Sequence, residues 1–408
     1  MLRATFIGHD ASRTGSPIAL LRFLGWLGVE QDVSARLLLL RGGPLVRNYE
    51  EVVATKVLRA PGILRRRTRR AAAALVAAFG AGEGVIEKRT TARVAALPAG
   101  RVFGRPDVVV ANSFPSGMAL SESLRSTRSG RPRSALRRPP IILHLHEMRS
   151  ALEQLAAWSD DGGGVSPLEL ISNVVAMANL VVVPSRLAEA DLTDLTRGTA
   201  ASAVPVRVVP EPVDVGYVRS RARKDRGALG WSHRRPIVLG CGTPELRKGI
   251  DLFAEVARKV HSCLGPEAHF VWLGGAELPA ELRDSPVEWI PSVDDPFAYL
   301  GCADLLVVAS REDPFPLVVL EAAAVGTPTV CFDTCGSSEF VERGAGVVVP
   351  GLNVEGMARE AYHLLTAPKR IEQLGLEAAR LAERYDVDRL GPVYKATLEE
   401  VATCSTAA

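Results

Sequence analysis

The sequence predicts an α/β protein built from two doubly wound, Rossmann-like units in tandem. Three observations lead there. A chain of 408 residues with 47% hydrophobic content has room for two separate cores. Two series of short β-branched runs alternate with helix-like segments, the signature of parallel strands covered on both faces. Between the series lies "PEPVDVGYVRSRARKDRGALGWSHRRP", which is polar, rich in turn residues and without the strand pattern. The boundaries that follow are a first domain over 1–214, a linker over 215–234, a second domain over 235–385 and a terminal helical region over 386–408.

In the first domain "ATFIG", "ARLLLL", "PDVVVA", "PIILHLH", "NLVVVPS" and "VPVRVVP" read as strands. The opening run from Met1 to Gly8 reads as a strand rather than a signal peptide. After it comes "GHDASRTGSP", where Gly8 and Gly15 bracket a loop opening onto a helix near Pro17. Such glycines let a backbone approach a phosphate, and the helix dipole favours an anion. The spacing is not GxGxxG, so a dinucleotide fingerprint is not supported, and a simple tight connection is the alternative. At the end of "PIILHLH" stands His146, beside Glu147, where a structural hydrogen-bonding histidine is the alternative to a site residue.

The second series is "PIVLGCG", "HFVWLGG", "VEWIPS", "ADLLVVAS", "TPTVCF" and "AGVVVP". Ligands of such sheets bind outside the carboxyl ends of the strands, where loops meet helix N-termini. After the first of these strands, "GCGTPELRKGID" keeps the backbone bare at Gly240 and Gly242 and sets Arg247 and Lys248 before a helix. Two cations there suit a diphosphate; a solvated basic turn is the alternative. In "SREDPFPLVVLEAAAVGTPTV", residues 317–325 are apolar all round, preceded by prolines and stopped by Gly326 and Pro328. Glu321 in the middle of that buried helix has no solvated face, so it needs a dedicated partner in the protein or a ligand.

Charge and cysteine usage narrow the classes further. Residues 1–140 carry 24 Lys and Arg against 9 Asp and Glu, a balance of +15 that leaves −12 for the rest of a chain whose net charge is +3. Much of the excess sits in Arg65, Arg66, Arg67, Arg69 and Arg70, and in Arg125, Arg128, Arg131, Arg133, Arg137 and Arg138. The first cluster precedes "AAAALVAAF" and suits a membrane surface, with a solvated arginine face as the alternative. That apolar run falls far short of the roughly 18 residues that span a bilayer, which points to a cytoplasmic protein. The six cysteines show no CxxC pairing and no zinc spacing, so they read as reduced and mostly buried thiols. Arginine outnumbers lysine 42 to 7, which suggests a GC-rich bacterial genome.

With these residues in place, the second half resembles the donor domain of the family 4 retaining nucleotide-sugar glycosyltransferases, which have the GT-B fold. Setting Phe315 on the phenylalanine of the family's E-x7-E motif puts Asp313 on its first Glu and Glu321 on its second. The resemblance extends through "LGG" at Leu273 to Gly275, "VEWIPSVDDPFAYLGCADLLVVAS" and "CGSSEFVERGAGVVVP". It continues more loosely through "GHDASRTGSPIALL", "LHLHEM", "VVVPSR" and "VVPEPVDV" in the first half. It implies two Rossmann-like domains flanking a cleft, with the last helix, near Pro392 to Val401, crossing back to the first domain.

The resemblance also implies residue roles. Glu321 would bind the nucleotide ribose, Asp313 the transferred sugar, and His146 would lie near the reacting carbon. Arg247 and Lys248 would hold the diphosphate of a UDP- or GDP-linked sugar. Gly15, Gly242 and Ile290 would line the donor site, with Phe315, Pro316 and Leu317 around the motif. The leaving diphosphate takes the acceptor proton in such a same-face displacement, so no metal and no further cofactor is implied, and no DxD lies in a plausible donor loop. Three departures stand out: Gly242 where the family has a diphosphate-binding Arg, Asp313 one methylene short of Glu, and Pro316 in place of Gly. The acceptor, whether saccharide, lipid-linked or small metabolite, is left open. Rival activities are a sugar-nucleotide epimerase or hydrolase on the same fold, a phosphorylase, and a non-catalytic nucleotide-sugar binder.

Overall fold

The computed structural model describes residues 1–58, 106–126, 138–159, 165–264 and 267–404. Arg65, Arg66, Arg67, Arg69 and Arg70, assigned above to a membrane surface, lie outside those residues, as do Arg128, Arg131, Arg133 and Arg137. The chain divides into two units: Met1–Val209 together with Gly391–Ala408, and Pro210–Leu390.

The first unit is a parallel sheet of β1 (Leu2–Gly8), β2 (Val33–Leu39), β3 (Ala54–Val57), β4 (Val108–Asn112), β5 (Ile141–His144), β6 (Leu180–Val183) and β7 (Val206–Val208). Its order is β3-β2-β1-β4-β5-β6-β7, every neighbouring pair being parallel. Ile7, Leu143, Val181 and Phe114 are among the fully buried residues of its core. Burying each such large side chain contributes roughly 1.5–3 kcal/mol. The sequence reading missed β3. "ATKV" alternates exposed and half-buried positions at the sheet edge, so it lacks the apolar run that marked the others.

Residues from Gly391 onward complete this unit through the helix Val387–Cys404, longer at both ends than the sequence suggested. The Tyr394 ring lies 5.0 Å from Phe23. Lys395 reaches Glu30 at 2.7 Å and Asp32 at 2.8 Å. A side chain at Gly391 would enter the Trp26 indole, its Cβ only 2.3 Å from the ring, so glycine sets how closely this helix lies on the helix Gly15–Leu27.

The second unit is a parallel sheet of β8 (Ile237–Cys241), β9 (His269–Leu273), β10 (Val287–Ile290), β11 (Leu305–Val308), β12 (Thr329–Phe332) and β13 (Gly346–Val349). Its order is β10-β9-β8-β11-β12-β13. All six strands fall where the apolar runs placed them, around a core that includes Val238, Phe253, Phe270, Trp272 and Phe332. The stretch assigned to a linker, 215–234, lies inside this unit and begins as the helix Val215–Arg221. Turn-rich composition hid that helix. Asp214 caps it by accepting from the Tyr217 amide at 2.7 Å, and Val215 and Val218 are buried beneath it.

Among the described residues Cys241, Cys263, Cys302, Cys331 and Cys335 are free thiols, and three of the five, Cys302, Cys331 and Cys335, are buried, with Cys241 half-buried and Cys263 exposed. No helix among the described residues is long and apolar enough to cross a membrane.

Candidate active site

Both sheets reverse direction of winding at one point, between β1 and β4 and between β8 and β11. There successive connections leave to opposite sides and open a crevice at the strand carboxyl ends.

In the second unit the loop 242–249 after β8 meets the loop 309–316 after β11. Gly249 makes the meeting possible: its φ is +70°, and a Cβ there would lie 1.8 Å from the Ala309 carbonyl oxygen. Arg311 ties the loops together. Its amide donates to the Arg247 carbonyl at 2.8 Å, and its guanidinium grips Asp251 with two bonds of 2.7 and 2.6 Å. It also donates to the Leu246 carbonyl at 2.5 Å. The sequence reading did not single out Arg311; the arginine just past an apolar strand was its only signal.

Lys248 is thereby held against Asp313, its Nζ 2.5 Å from Oδ2. Asp313 is 3% exposed, and its other oxygen accepts from the Phe315 amide at 3.2 Å. Its carbonyl accepts from the Gly336 amide at 2.8 Å, which fixes the loop after β12 against the same residue. Burial, then the Asp313 charge, pushes the Cys335 thiol well up, while Lys248 pulls it back. Arg247 lies flatter, donating to the Glu312 carbonyl at 3.3 Å with Glu245 at 3.7 Å.

Glu321 is 7% exposed in the helix Leu317–Ala324, in which Val318 alone is not buried. Burial first, and the nearby Glu321 charge second, pushes the Cys241 thiol up to about 12, with Lys248 opposing. Glu321 and Lys248 therefore act on one spot at the carboxyl end of β8. Arg219 donates to the Ala324 carbonyl at 2.9 Å and so satisfies the far end of the Glu321 helix.

The remaining expected donor residues divide. Gly242 has φ +141°, a conformation that strains any other residue, so the arginine the resemblance would place there does not suit this backbone. The Gly242 carbonyl accepts from Trp272 Nε1 at 3.2 Å, and the Gly274 carbonyl from Trp289 Nε1 at 2.8 Å. Ile290 ends β10, its carbonyl taken by the Gly274 amide at 2.9 Å. Pro316 caps the Glu321 helix and Leu317 opens it. Phe315 is buried, its ring stacked 6.1 Å from Tyr385, so it anchors the motif in the core. Gly15 belongs to the first unit, exposed at the start of the helix Gly15–Leu27, and a Cβ there would meet nothing.

In the first unit His146 lies two residues beyond β5, its Nε2 3.1 Å from Asn112 Oδ1. Burial, and then the neighbouring His9, lowers its pKa to about 3, so the ring is neutral at ordinary pH. The Glu147 carboxylate accepts from the His146 amide at 3.0 Å and from the Phe114 amide at 3.1 Å, filling the N-terminus of the helix Phe114–Ser126. Between β4 and that helix Ser113 holds φ +138°, strained for a residue with a side chain. Asp10 after β1 is 4% exposed and accepts from Ser12 and, at 2.6 Å, from Arg41. Burial pushes its carboxyl up, but His9, Ser12 and Arg41 more than offset this and hold it below the usual range. Sequence reasoning did not single out Asn112 or Asp10.

Residues 235–367 match the family described as glycosyl transferases group 1. D-inositol 3-phosphate glycosyltransferase 1 of Catenulispora acidiphila is 28% identical over 325 residues, 73% of this chain and 74% of that protein. Alpha-D-kanosaminyltransferase of Streptomyces kanamyceticus is 28% identical over 183 residues, 40% of this chain and 46% of that protein, so less than half of its length is spanned. The fold is shared with Anabaena HepE, solved with UDP and glucose, at TM-score 0.72 and 16% identity over 98% of this chain and 100% of that one. The matched segment forms most of the second unit, so the chain carries a glycosyl transferases group 1 domain, and its two parallel α/β sheets are those of the GT-B glycosyltransferase fold.

Proposed function

We propose that the protein moves a hexosyl group, with retention, from a nucleoside-diphosphate sugar to a hydroxyl acceptor, the donor seated at the β8–β11 switch point. The observation that carries the reading is the half-buried Lys248–Asp313 pair beside the buried Glu321. A cation held at a strand end by a carboxylate can turn to a diphosphate without crossing a low-dielectric region, and Arg247 adds a second charge on the same loop. Glu321 takes the two ribose hydroxyls, which explains a carboxylate in a buried helix. Asp313, pinned by Lys248 and the Phe315 amide, meets hydroxyls of the transferred sugar.

In the reaction the bond from C1 to the leaving phosphate oxygen breaks and the bond from C1 to the acceptor oxygen forms on the same face. The acceptor proton passes to the departing diphosphate. Lys248 and Arg247 stabilise the charge that grows there, so electrostatics supplies most of the acceleration and the scheme calls for no metal or cofactor. UDP is the first nucleotide to test, because the structural neighbour HepE was solved with it. An inositol phosphate is the first acceptor to test, because the Catenulispora relative carries that compound in its name.

The test is nucleoside-diphosphate release from a panel of UDP- and GDP-sugars with and without acceptor. Release that requires acceptor, with an α-linked product from an α-linked donor, is expected. Turnover of donor alone indicates an epimerase or hydrolase, and binding without release under any condition indicates a non-catalytic binder.

A further inference from the structure

Arg311 stands two residues before Asp313 on the loop after β11, and its contacts bracket Lys248 on the loop after β8. On one side of Lys248 the Arg311 amide donates to the Arg247 carbonyl at 2.8 Å, and Nη1 donates to the Leu246 carbonyl at 2.5 Å. On the other side Nη1 and Nη2 reach Asp251 Oδ1 and Oδ2 at 2.7 and 2.6 Å. Asp251 lies in the first turn of the helix Ile250–Leu264, where its carboxylate also accepts from its own amide and that of Leu252. Between these anchors the Gly249 amide donates to the Leu246 carbonyl at 3.0 Å. One guanidinium thus joins the end of the loop to the start of the helix that follows it.

Gly242, in the place of a diphosphate-binding arginine, raises the question whether Arg311 supplies the missing charge. Its bonds argue against that. Both hydrogens of Nη1 are taken, by Leu246 and Asp251, and Asp251 meets the guanidinium with both carboxylate oxygens. The hydrogen bond from Arg311 is the chief cause that holds the Asp251 carboxyl below its usual range, with burial opposing. To turn to a phosphate, Arg311 would have to give up this two-pronged pairing. Lys248 is placed differently: its ammonium is a compact charge on a flexible stem, and it meets Asp313 through one oxygen. It can change partner by rotation of the side chain if its backbone stays in place, and a misplacement of about 1 Å can cost on the order of 100-fold in rate.

We propose that Arg311 is a positioning residue that acts through Lys248: its fork fixes residues 246–251 so that Lys248 passes from Asp313 to the donor diphosphate by side-chain rotation, while Arg311 itself does not touch the donor. The inference rests on the reading of Lys248 as a diphosphate ligand. A fork is needed because a carbonyl and a carboxylate must be held at once, which a lysine ammonium cannot do with the same fixed geometry. The Arg311 and Asp251 side chains are 34% and 32% exposed, so their pairing contributes little to global stability and its loss should leave the protein folded.

A double-mutant cycle on the full chain tests this, with Arg311→Met made in the wild type and in Lys248→Ala. In the wild type, Arg311→Met should lower kcat about tenfold; in Lys248→Ala it should change kcat and nucleoside-diphosphate affinity by less than about twofold, because the residue it acts through is gone. A further tenfold loss of nucleoside-diphosphate affinity in the Lys248→Ala background would make Arg311 a phosphate ligand and overturn the proposal, and so would equal losses of kcat in both backgrounds. Amide hydrogen exchange of the ligand-free protein gives a readout that needs no turnover. Arg311→Met should speed exchange at residues 246–249 at least about tenfold and leave the interior of the helix Ile250–Leu264 unchanged; unchanged exchange at 246–249 overturns the proposal. Should Arg311→Met fail to fold, Arg311→Lys, which keeps the charge and loses the fork, carries the same cycle. A protein that releases no nucleoside diphosphate from any donor, yet shows the faster exchange, would refute the proposed reaction and leave the hold of Arg311 on the Lys248 loop standing.

Discussion

The two switch points solve the same geometric problem with different electrostatics, although the first also holds an ion pair, Arg41 with Asp10 after β1. Around β8 and β11 the carboxyl ends carry full charges that neutralise one another across loops: Lys248 with Asp313, and Arg311 with Asp251. Around β4 and β5 the contacts run through an amide, hydroxyls and imidazoles, with the carboxylate of Glu147 satisfied by backbone amides. An ion pair can exchange one partner for an incoming anion, because the exchanged charge stays neutralised. A neutral network cannot replace a missing charge, but it fixes direction, since each donor has one acceptor. The comparison teaches that one strand edge is held by full charges across its loops and the other mainly by neutral hydrogen bonds.

The sharpest way to break that contrast is Lys248→Ala. It leaves Asp313 buried beside no cation, so about 3 kcal/mol of stability should be lost, as for other buried pairs cut on one side. Turnover should fall roughly 100- to 1000-fold, the usual cost of removing one group that stabilises transition-state charge. Adding Asp313→Asn should recover much of the stability and none of the turnover. Urea unfolding and diphosphate-release assays read the two effects separately, and a single variant that kept both would show that the pair is ornamental.

Next in size, Glu321→Gln should weaken nucleoside diphosphate and sugar nucleotide alike, by about 2 kcal/mol in calorimetry. Asp313→Ala should weaken the sugar nucleotide by a similar amount and leave the nucleoside diphosphate as tight or tighter, because it releases Lys248 from competition. If free nucleoside diphosphate were weakened equally by both changes, the assignment of these carboxylates to ribose and sugar would be wrong.

The smallest effect belongs to the neutral edge. His146 titrates near pH 6.5 once unfolded but at about 3 in the native unit, so below pH 6.5 the unfolded chain binds the extra proton. Its contribution is complete above that pH and is lost as pH falls from 6.5 towards 3. Between pH 7.5 and 5 it should amount to roughly 1–2 kcal/mol. His9 is shifted downwards too, mainly by burial, and adds in the same direction. Denaturation at several pH values should show this slope, and His146→Gln should reduce it.

The strands were legible wherever apolar residues ran without interruption, as in "LLVV" of β11, and lost where an edge strand alternated, as in β3. The Glu321 helix was legible because nothing polar but the glutamate interrupts it, and because Gly326, at φ +85°, follows its end. Partners were a different matter. Lys248 and Asp313 are 65 residues apart, and their pairing depends on the Ala309 carbonyl packing against the bare Cα of Gly249, a contact no local pattern encodes. Asn112 at a strand end carries the same composition signal as any turn, and only strand order places it between Ser16 and His146. The helix after Asp214 was obscured because its capping residue belongs to the turn-forming set.

The indole bonds described at the second switch point give the molecule a built-in spectroscopic probe. Trp272 in β9 and Trp289 in β10, two of five tryptophans in the chain, donate to the carbonyls of Gly242 and Gly274, which lie in the loops after β8 and β9. A donor that shifts either carbonyl alters the polarity felt by an excited indole, so entry into the site can be followed by intrinsic fluorescence, without a label and without turnover. Emission that stays constant through saturation would mean that the glycine loops are already set in their bound form, and that the site behaves as a rigid receptor rather than one shaped by its ligand.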